Sequence, residues 1–445
     1  MKKVHIIHPE ESSLVFKSDK IRGSDVTYLL SFLKDTGIKI IRRDNKVFVR
    51  KKINDIWYES LFENDFSFFK DMIKTRKGTN FSSLNRAFEP KEEDWKKIRR
   101  YGNMIYLFIT KKCNSRCKVC FAQEFLKPEE MCIEDIKYVL SKIGKNKKFM
   151  LFGLEPTTRD DIFKIIELVK ESGNIPTIFT NGLKLSDPNY VKKLKRAGLK
   201  EVFLSFEGFD DVYKKLGEEK NYRLKIKAIE NLKKHKIFTF LAPVVMENIN
   251  ENEILNLIPF LIENKDFIKG LFLVPLSPFG RLEITQRKFF TYSDIIKKIL
   301  QSKYVKCDEK YFSEFERFKL NLHNFLIKFG KNIPTGSQII NIPFKVDDNF
   351  LSEAISTEDL KKINSDFEKE NYLGLIKYFP LLFSFWKFLL NSTKLYYDVF
   401  KKNFVYLTVY QITTDFNYIP FWTHSVGIIK QKRRNGELKL VFNCI

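Results

Sequence analysis

The sequence predicts an α/β fold: a parallel sheet of six strand-then-helix units, open or curled into a partial (β/α)6 barrel. Three observations carry this. Apolar runs of strand length recur from Met104 onward, at Ile105–Ile109, Phe149–Phe152, Thr177–Phe179, Glu201–Leu204, Phe238–Leu241 and Gly270–Val274. Segments of helical periodicity separate them, at Ile133–Ile143, Asp160–Glu171, Asn189–Ala197, Arg223–His235 and Glu251–Glu263. Parallel strands joined in this way need right-handed crossovers, and such folds gather their chemistry at the C-terminal ends of the strands.

Three regions follow in chain order. In residues 1–99, Ile38 to Arg50 alternates around a polar Asp44-Asn45 turn and reads as a β-hairpin. The stretch WYESLF reads as a further strand, and Asn64 or Asp65 is placed to cap a short helix bearing Phe66, Phe69 and Ile73 on one face. Lys74 to Arg100 is polar and irregular, a connector. Residues 100–290 form the repeating core domain. Beyond Thr291 the rhythm stops, and residues 291–445 read as a C-terminal, mostly helical extension with helical patches at Tyr311–Phe329 and Leu373–Leu390.

Composition narrows the function classes. The chain has 445 residues, 44% of them apolar and 30% charged, which is enough to bury a core and excludes wholesale disorder. Six cysteines in this length exclude a disulfide-stapled secreted module. The first residues, MKKVHIIHPEESS, hold no apolar run of signal-peptide length, and no run of about 18 apolar residues reads as a membrane span. The expected compartment is a reducing cytoplasm, with peripheral contact to a membrane as the extension of that reading. A net charge of +24 suits an anionic partner: a phospholipid surface, an acidic peptide or RNA. The competing reading is a Lys-rich solvated surface, because the excess is spread along the chain.

The chemistry-bearing cluster is Cys113-Asn-Ser-Arg-Cys117-Lys-Val-Cys120, directly after the first core strand. A C-x3-C-x2-C loop wraps three thiolates around one face of a cubane and leaves the fourth iron without a protein ligand. A zinc site that recruits Cys132 is the structural alternative, but zinc sites usually pair their cysteines as two knuckles and Cys132 has no partner nearby. Cys132 and Cys307 are therefore expected to lie outside the cluster, Cys132 as a small side chain packing its helix on the sheet. The five histidines form no metal-spaced group.

With these cysteines the sequence resembles the radical S-adenosylmethionine (SAM) superfamily. Its further motifs follow in order at strand ends. Gly153-Leu154-Glu155-Pro156 resembles the Gly-Gly-Glu-Pro motif that holds the amino group of SAM, and Glu155 suits an ammonium through a charge-assisted bond. Thr180-Asn181-Gly182 and Ser205-Phe206-Glu207-Gly208 supply polar groups for the ribose and the methionine carboxylate. The resemblance implies a radical SAM barrel. It also implies a [4Fe–4S] cluster on Cys113, Cys117 and Cys120, SAM as cosubstrate, and an electron donor such as ferredoxin or flavodoxin. Gly153, Glu155, Pro156, Thr180, Asn181, Ser205 and Glu207 are the expected SAM contacts.

From Gly153 to Arg281 the chain resembles more narrowly the subgroup of tetraether lipid synthase and its methyltransferase-like relatives. The carriers are EPTTRDDI, TNGLKLSDPNYVKKLKRAGL, VFLSFEGFDDVYKKL, APVVMENINENEI and LVPLSPFGR. Departures from that subgroup are Leu154 for the second glycine, Glu207 where Asp is usual, and no cysteine before Cys113, so auxiliary clusters are expected to be lost. The implied reaction is carbon–carbon bond formation or methyl transfer on a lipid or other apolar substrate. The alternatives are maturation of a ribosomal peptide or modification of RNA, and a cluster-binding partner subunit without turnover. The apolar Leu373–Leu390 segment reads either as an interfacial membrane helix or as a cover over the barrel mouth.

Overall fold

A computed structural model describes residues 38–53, 56–74, 90–101, 104–120, 129–276, 281–282, 290–328, 339–378, 380, 404–410, 425–432 and 438–444. The N-terminal strands β1 (Ile38–Arg43), β2 (Lys46–Ile53) and β3 (Ile56–Glu63) form an antiparallel sheet in which Arg43 pairs with Lys46. Asp44 turns the hairpin with φ +51°, a left-handed conformation that Asp tolerates better than most side chains. The Asp65 carboxylate then accepts from the amides of Ser67 and Phe68 and caps the Phe66–Lys74 helix.

The core strands are β4 (Met104–Thr110), the two-residue β5 (Val119–Cys120), β6 (Lys148–Gly153), β7 (Ile175–Thr180), β8 (Glu201–Leu204), β9 (Phe238–Leu241), the short β10 (Val244–Val245) and β11 (Ile268–Pro275). β12 (Arg281–Leu282) pairs with β5, away from the main sheet. Six of them lie parallel in the order β11-β9-β8-β7-β6-β4, as the strand–helix rhythm requires. Helices pack on the outer face, where Ile105, Leu107 and Ile109 of β4 meet Ile136, Val139 and Ile143. The alternate positions turn inward. There Phe108, Phe152, Phe179, Phe203, Phe240 and Tyr406 form an aromatic belt around the inner face, apolar because both faces of a parallel sheet are covered.

The C-terminal region adds strands as well as helices. β13 (Val305–Lys306), β14 (Ile339–Asp347) and β15 (Phe350–Glu353) accompany the Glu309–Lys328 and Thr357–Glu368 helices. β16 (Phe404–Tyr410) joins the core sheet parallel to β11. β17 (Ser425–Lys432) joins it parallel to β4 at the opposite edge, and β18 (Leu438–Cys444) follows. Eight parallel strands thus stand side by side, with the last region of the chain guarding both edges of the original six. Sequence reading left these strands unassigned because the pattern around them is short and because β16 and β17 pair with core strands far back in the chain. Most of the apolar Leu373–Leu390 segment lies outside the described residues. No helix among the described residues is long and apolar enough to cross a membrane.

A buried carboxylate joins the N-terminal sheet to the C-terminal region. Glu63, 2% exposed at the end of β3, accepts from the Thr291 hydroxyl at 2.5 Å, the Ser293 hydroxyl at 2.6 Å and the Asn64 amide at 2.7 Å. Burial raises its pKa to about 7, against the opposing pull of these donors, with the neighbouring Asp294 adding to the rise. The folded joint therefore holds a proton that the unfolded chain has released. Its stabilisation is complete below the ordinary carboxylate pKa of 4.5 and fades as pH climbs through about 7. The expected loss is on the order of 3 kcal/mol. Thermal unfolding between pH 5 and 9 should show this decline in the parent and a flatter profile in Glu63→Gln. Equal pH profiles for the two proteins would contradict the assignment.

Candidate active site

The strand tips of β4, β6, β7 and β8 converge on the cysteine loop. Cys113 is exposed, and Cys117 and Cys120 are half-buried. The Ser115 amide donates to Cys113 Sγ, and the Ser115 hydroxyl shares a hydrogen bond with Cys117 Sγ, both at 3.4 Å. Cys120 is held by the β5–β12 pairing opposite Arg281. Desolvation pushes the Cys117 thiol up to about 11 and raises Cys113 as well. No group of three or more His, Cys, Asp or Glu among the described residues is placed to hold a single metal ion.

The next turn locks onto the cysteine loop through backbone bonds, Leu154 N–H to Thr110 O at 3.1 Å and Glu155 N–H to Lys112 O at 3.0 Å. Gly153 makes this approach possible: its φ is +154°, and a Cβ there would stand 2.2 Å from Thr110 O. Glu155 is fully buried. Its Oε1 accepts from Thr157 N–H at 3.0 Å, the Thr157 hydroxyl at 2.5 Å and the Thr180 hydroxyl at 2.6 Å, while Oε2 accepts from Asn181 N–H at 2.7 Å. Burial raises its pKa, and these four donors oppose the rise. Pro156 is buried in the turn that follows. Thr180 stands behind the carboxylate, since its hydroxyl also accepts from Gly182 N–H. Asn181 reaches across to the cysteine loop, where its Nδ2 donates to Asn114 Oδ1 at 2.8 Å.

At the tip of β8, Ser205 is half-buried and its amide donates to Thr180 O. Glu207 is held by three neighbours. Its carboxylate accepts from Val244 N–H at 2.7 Å, its carbonyl accepts from Asn250 Nδ2, and its amide donates to the Tyr213 hydroxyl. Desolvation raises the Glu207 pKa, and Lys225 counters it.

Lys225 is the group that motif reading missed. It is 5% exposed, on the Glu219–Lys234 helix, near Tyr213, Glu207 and Cys117. Burial alone lowers the pKa of such an ammonium, but those three neighbours together hold it above its usual value. A signal existed: Lys225 shares a buried stripe with Ala228, Ile229 and Leu232, and a lysine at such a position needs an anionic reason to be there. Cys132, expected to pack its helix on the sheet, does not do so. It is exposed, and its thiol donates to Asp135 Oδ2 at 3.1 Å at the start of the Ile133–Ile143 helix, because a cap position faces solvent. Cys307 is half-buried in the C-terminal region, where burial raises its thiol pKa.

The profile of the radical SAM superfamily matches residues 107–261, from β4 to the helix before β11. A 7,8-dihydro-6-hydroxymethylpterin dimethyltransferase of Methanocaldococcus jannaschii is 34% identical over 184 residues, 39% of this chain and 36% of that relative. A GTP 3',8-cyclase of Clostridium perfringens is 30% identical over 226 residues, 47% of this chain and 67% of its own length. Among solved structures, Streptococcus suis SuiB bound to S-adenosylmethionine aligns with 59% of this chain and 67% of its own, at 18% identity and a TM-score of 0.38. This chain thus spans about a third of the dimethyltransferase and two thirds of the cyclase. The profile covers the strand tips where the cysteine loop and its partner turns meet, and the chain belongs to the radical SAM superfamily, whose cofactors are a [4Fe–4S] cluster and S-adenosylmethionine.

Proposed function

We propose that the chain is a radical SAM enzyme that forms a carbon–carbon bond, methyl transfer included, at an unactivated C–H position of an apolar substrate. The observation that carries this reading is the C-x3-C-x2-C loop hydrogen-bonded to the Glu155 turn and to Asn181 above an aromatic inner face. The donor set fits the cluster. Three thiols within eight residues suit iron–sulfur ligation, and a cubane spaces its ligands more widely than one ion does. The desolvation that raises the Cys117 thiol pKa is overcome when iron displaces the proton. When bound, the cluster and SAM supply a one-electron cleavage whose carbon radical removes hydrogen from an unactivated C–H bond.

The residues of the chain then bind and orient. Cys113, Cys117 and Cys120 would hold the cluster, with SAM bound beside it. Glu155 acts first as a positioning residue, fixing the Gly153–Thr157 turn with four hydrogen bonds. Its Oε2, which accepts from Asn181 among the described donors, retains capacity for an ammonium. Lys225 is the buried cation suited to a ligand carboxylate, and Glu207 balances its charge until one arrives. Asn181 and Ser205 offer polar side chains at adjoining strand tips for the ribose. Thr180 supports Glu155 from behind, and Pro156 sets the turn.

One relative is named for methyl transfer to a pterin and others for ring closure on GTP. Both names support chemistry at carbon, as does the resemblance to the tetraether lipid synthase subgroup. Anaerobic reconstitution of the full chain should give a brown protein that releases 5′-deoxyadenosine when reduced with SAM. Carbon label from the SAM methyl group should enter product if methyl transfer is the outcome. A colourless protein that takes up zinc alone would end this reading.

A further inference from the structure

The foot of the core sheet, at the strand ends opposite the cysteine loop, gathers cations that the sequence spreads over many turns. Each helix of a strand–helix unit ends beside the start of the next strand, so its last turn and the linker after it lie on one rim. Lys145 stands between the Ile133–Ile143 helix and β6, and Lys170 in the last helical turn before β7. Lys195, Arg196 and Lys200 precede β8, and Lys233, Lys234 and Lys236 precede β9. All eight are exposed.

These cations connect one unit to the next. The Lys145 stem lies against Gly173, past the end of the following helix, and the Lys170 stem against Gly198, past the end of the one after. Lys195 Nζ donates to the Lys236 carbonyl at 2.8 Å, and Lys233 Nζ to Asn264 Oδ1 at 3.2 Å. Carboxylates are sparse here: Glu171, Glu263 and Asp266 are the exposed acids of the same turns. Among the described residues no salt bridge engages Lys145, Lys170, Lys195, Arg196, Lys233, Lys234 or Lys236, whereas Lys148 at the start of β6 is paired with Glu201. Complementing the helix dipoles accounts for Lys170, Lys195 and Lys233. It calls for no cation beyond a helix end, where Lys145, Lys200 and Lys236 stand. Partial desolvation, with Lys200 and Lys236 close by, lowers the Lys195 pKa. Like charges gathered in this way repel one another, and a negatively charged partner relieves that repulsion.

We infer that this rim is a docking surface for an anionic phospholipid bilayer. The inference rests on the fold and is independent of the radical SAM reading. All but Arg196 of the rim cations are lysines. Lysine is a hydrated point charge that suits a diffuse plane of headgroups, whereas nucleic-acid surfaces rely on arginine forks and aromatic platforms. Of the large apolar side chains exposed among the described residues, Tyr138, Tyr372, Leu373 and Ile376, none stands in these turns, so the attraction is electrostatic. The cysteine loop lies at the other ends of the same strands. A chain docked by the rim therefore turns its site away from that bilayer, and the rim anchors the enzyme without drawing substrate from the surface beneath it.

Flotation of the reconstituted full chain tests this, with vesicles of phosphatidylcholine alone and of phosphatidylcholine with about 30% phosphatidylglycerol. Only the anionic vesicles should carry the protein at ~0.1 M salt, and ~0.5 M salt should release it as the screening length shortens. Lys170→Gln, Lys195→Gln and Lys233→Gln together should weaken binding about fivefold per lysine, on the order of a hundredfold in all. Lys361→Gln, Lys369→Gln and Lys377→Gln remove the same charge from the C-terminal region and should leave affinity within about threefold of the parent. Both variants should match the parent in unfolding temperature and in 5′-deoxyadenosine release, because all six side chains are exposed. Equal binding to neutral vesicles, or a loss as large in the C-terminal variant, would overturn the inference. So would vesicle binding that survives in the rim variant while poly-uridine binding falls, which would assign the rim to RNA.

Discussion

Alanine at Cys113, Cys117 or Cys120 is expected to empty the chain of its cluster. Iron should fall from about four atoms per chain to well below one after anaerobic reconstitution, because three thiolates are the whole protein share of the ligand set. Release of 5′-deoxyadenosine should fall by far more than about a hundredfold, since even outer-sphere partners of metal ligands cost up to that much. The controls are Cys132→Ala and Cys307→Ala. Cys132 is tied to Asp135 at a helix start and Cys307 is half-buried in another region, so both variants should keep iron and SAM cleavage. Cys132→Ala should lose at most about 1 kcal/mol of helix capping. Loss of about one iron in Cys132→Ala would show that the ligand set is different.

Gly153→Ala is the second large effect. The added Cβ would lie 2.2 Å from Thr110 O and 3.0 Å from Thr110 N, backbone atoms at the very end of β4 that cannot swing aside as a side chain does. The positive φ adds strain for any other residue. The expected cost is about 2–5 kcal/mol, from strain and overpacking together. Relief would come by pulling β6 from β4, which would break the Leu154 and Glu155 amide bonds to the cysteine loop. The reconstituted variant should therefore unfold at lower temperature and lose SAM binding in equilibrium dialysis while keeping some iron. An unfolding midpoint and SAM affinity equal to those of the parent would refute this role for the glycine.

The two predictions differ in what made them visible. The cysteine spacing is written within eight consecutive residues, so covalent connectivity alone brings the thiols together. The turn at Gly153 is half legible: its glycine and glutamate stand in the sequence, but the contact with Thr110 belongs to a strand more than forty residues earlier. Glu155 shows the same division. Its presence at a strand tip is read from the motif, whereas its commitment to Thr157, Thr180 and Asn181 follows from packing β6 against β7.

By itself, the sequence determined the alternation of six strands with helices, the N-terminal hairpin with its Asp44 turn, and the position of the cysteine loop. Each of these is a local pattern, held in a window of about ten residues by periodicity or spacing. Only the tertiary structure decided three further features. Lys225 lies beside Cys117 and Glu207, β16 and β17 stand at opposite edges of the core sheet, and single phenylalanines from separate strands fall into one belt. The physical reason is register. A phenylalanine at every second position shows which face it occupies, but which rings meet depends on how far each strand is slid against its neighbour, and long-range pairing sets that.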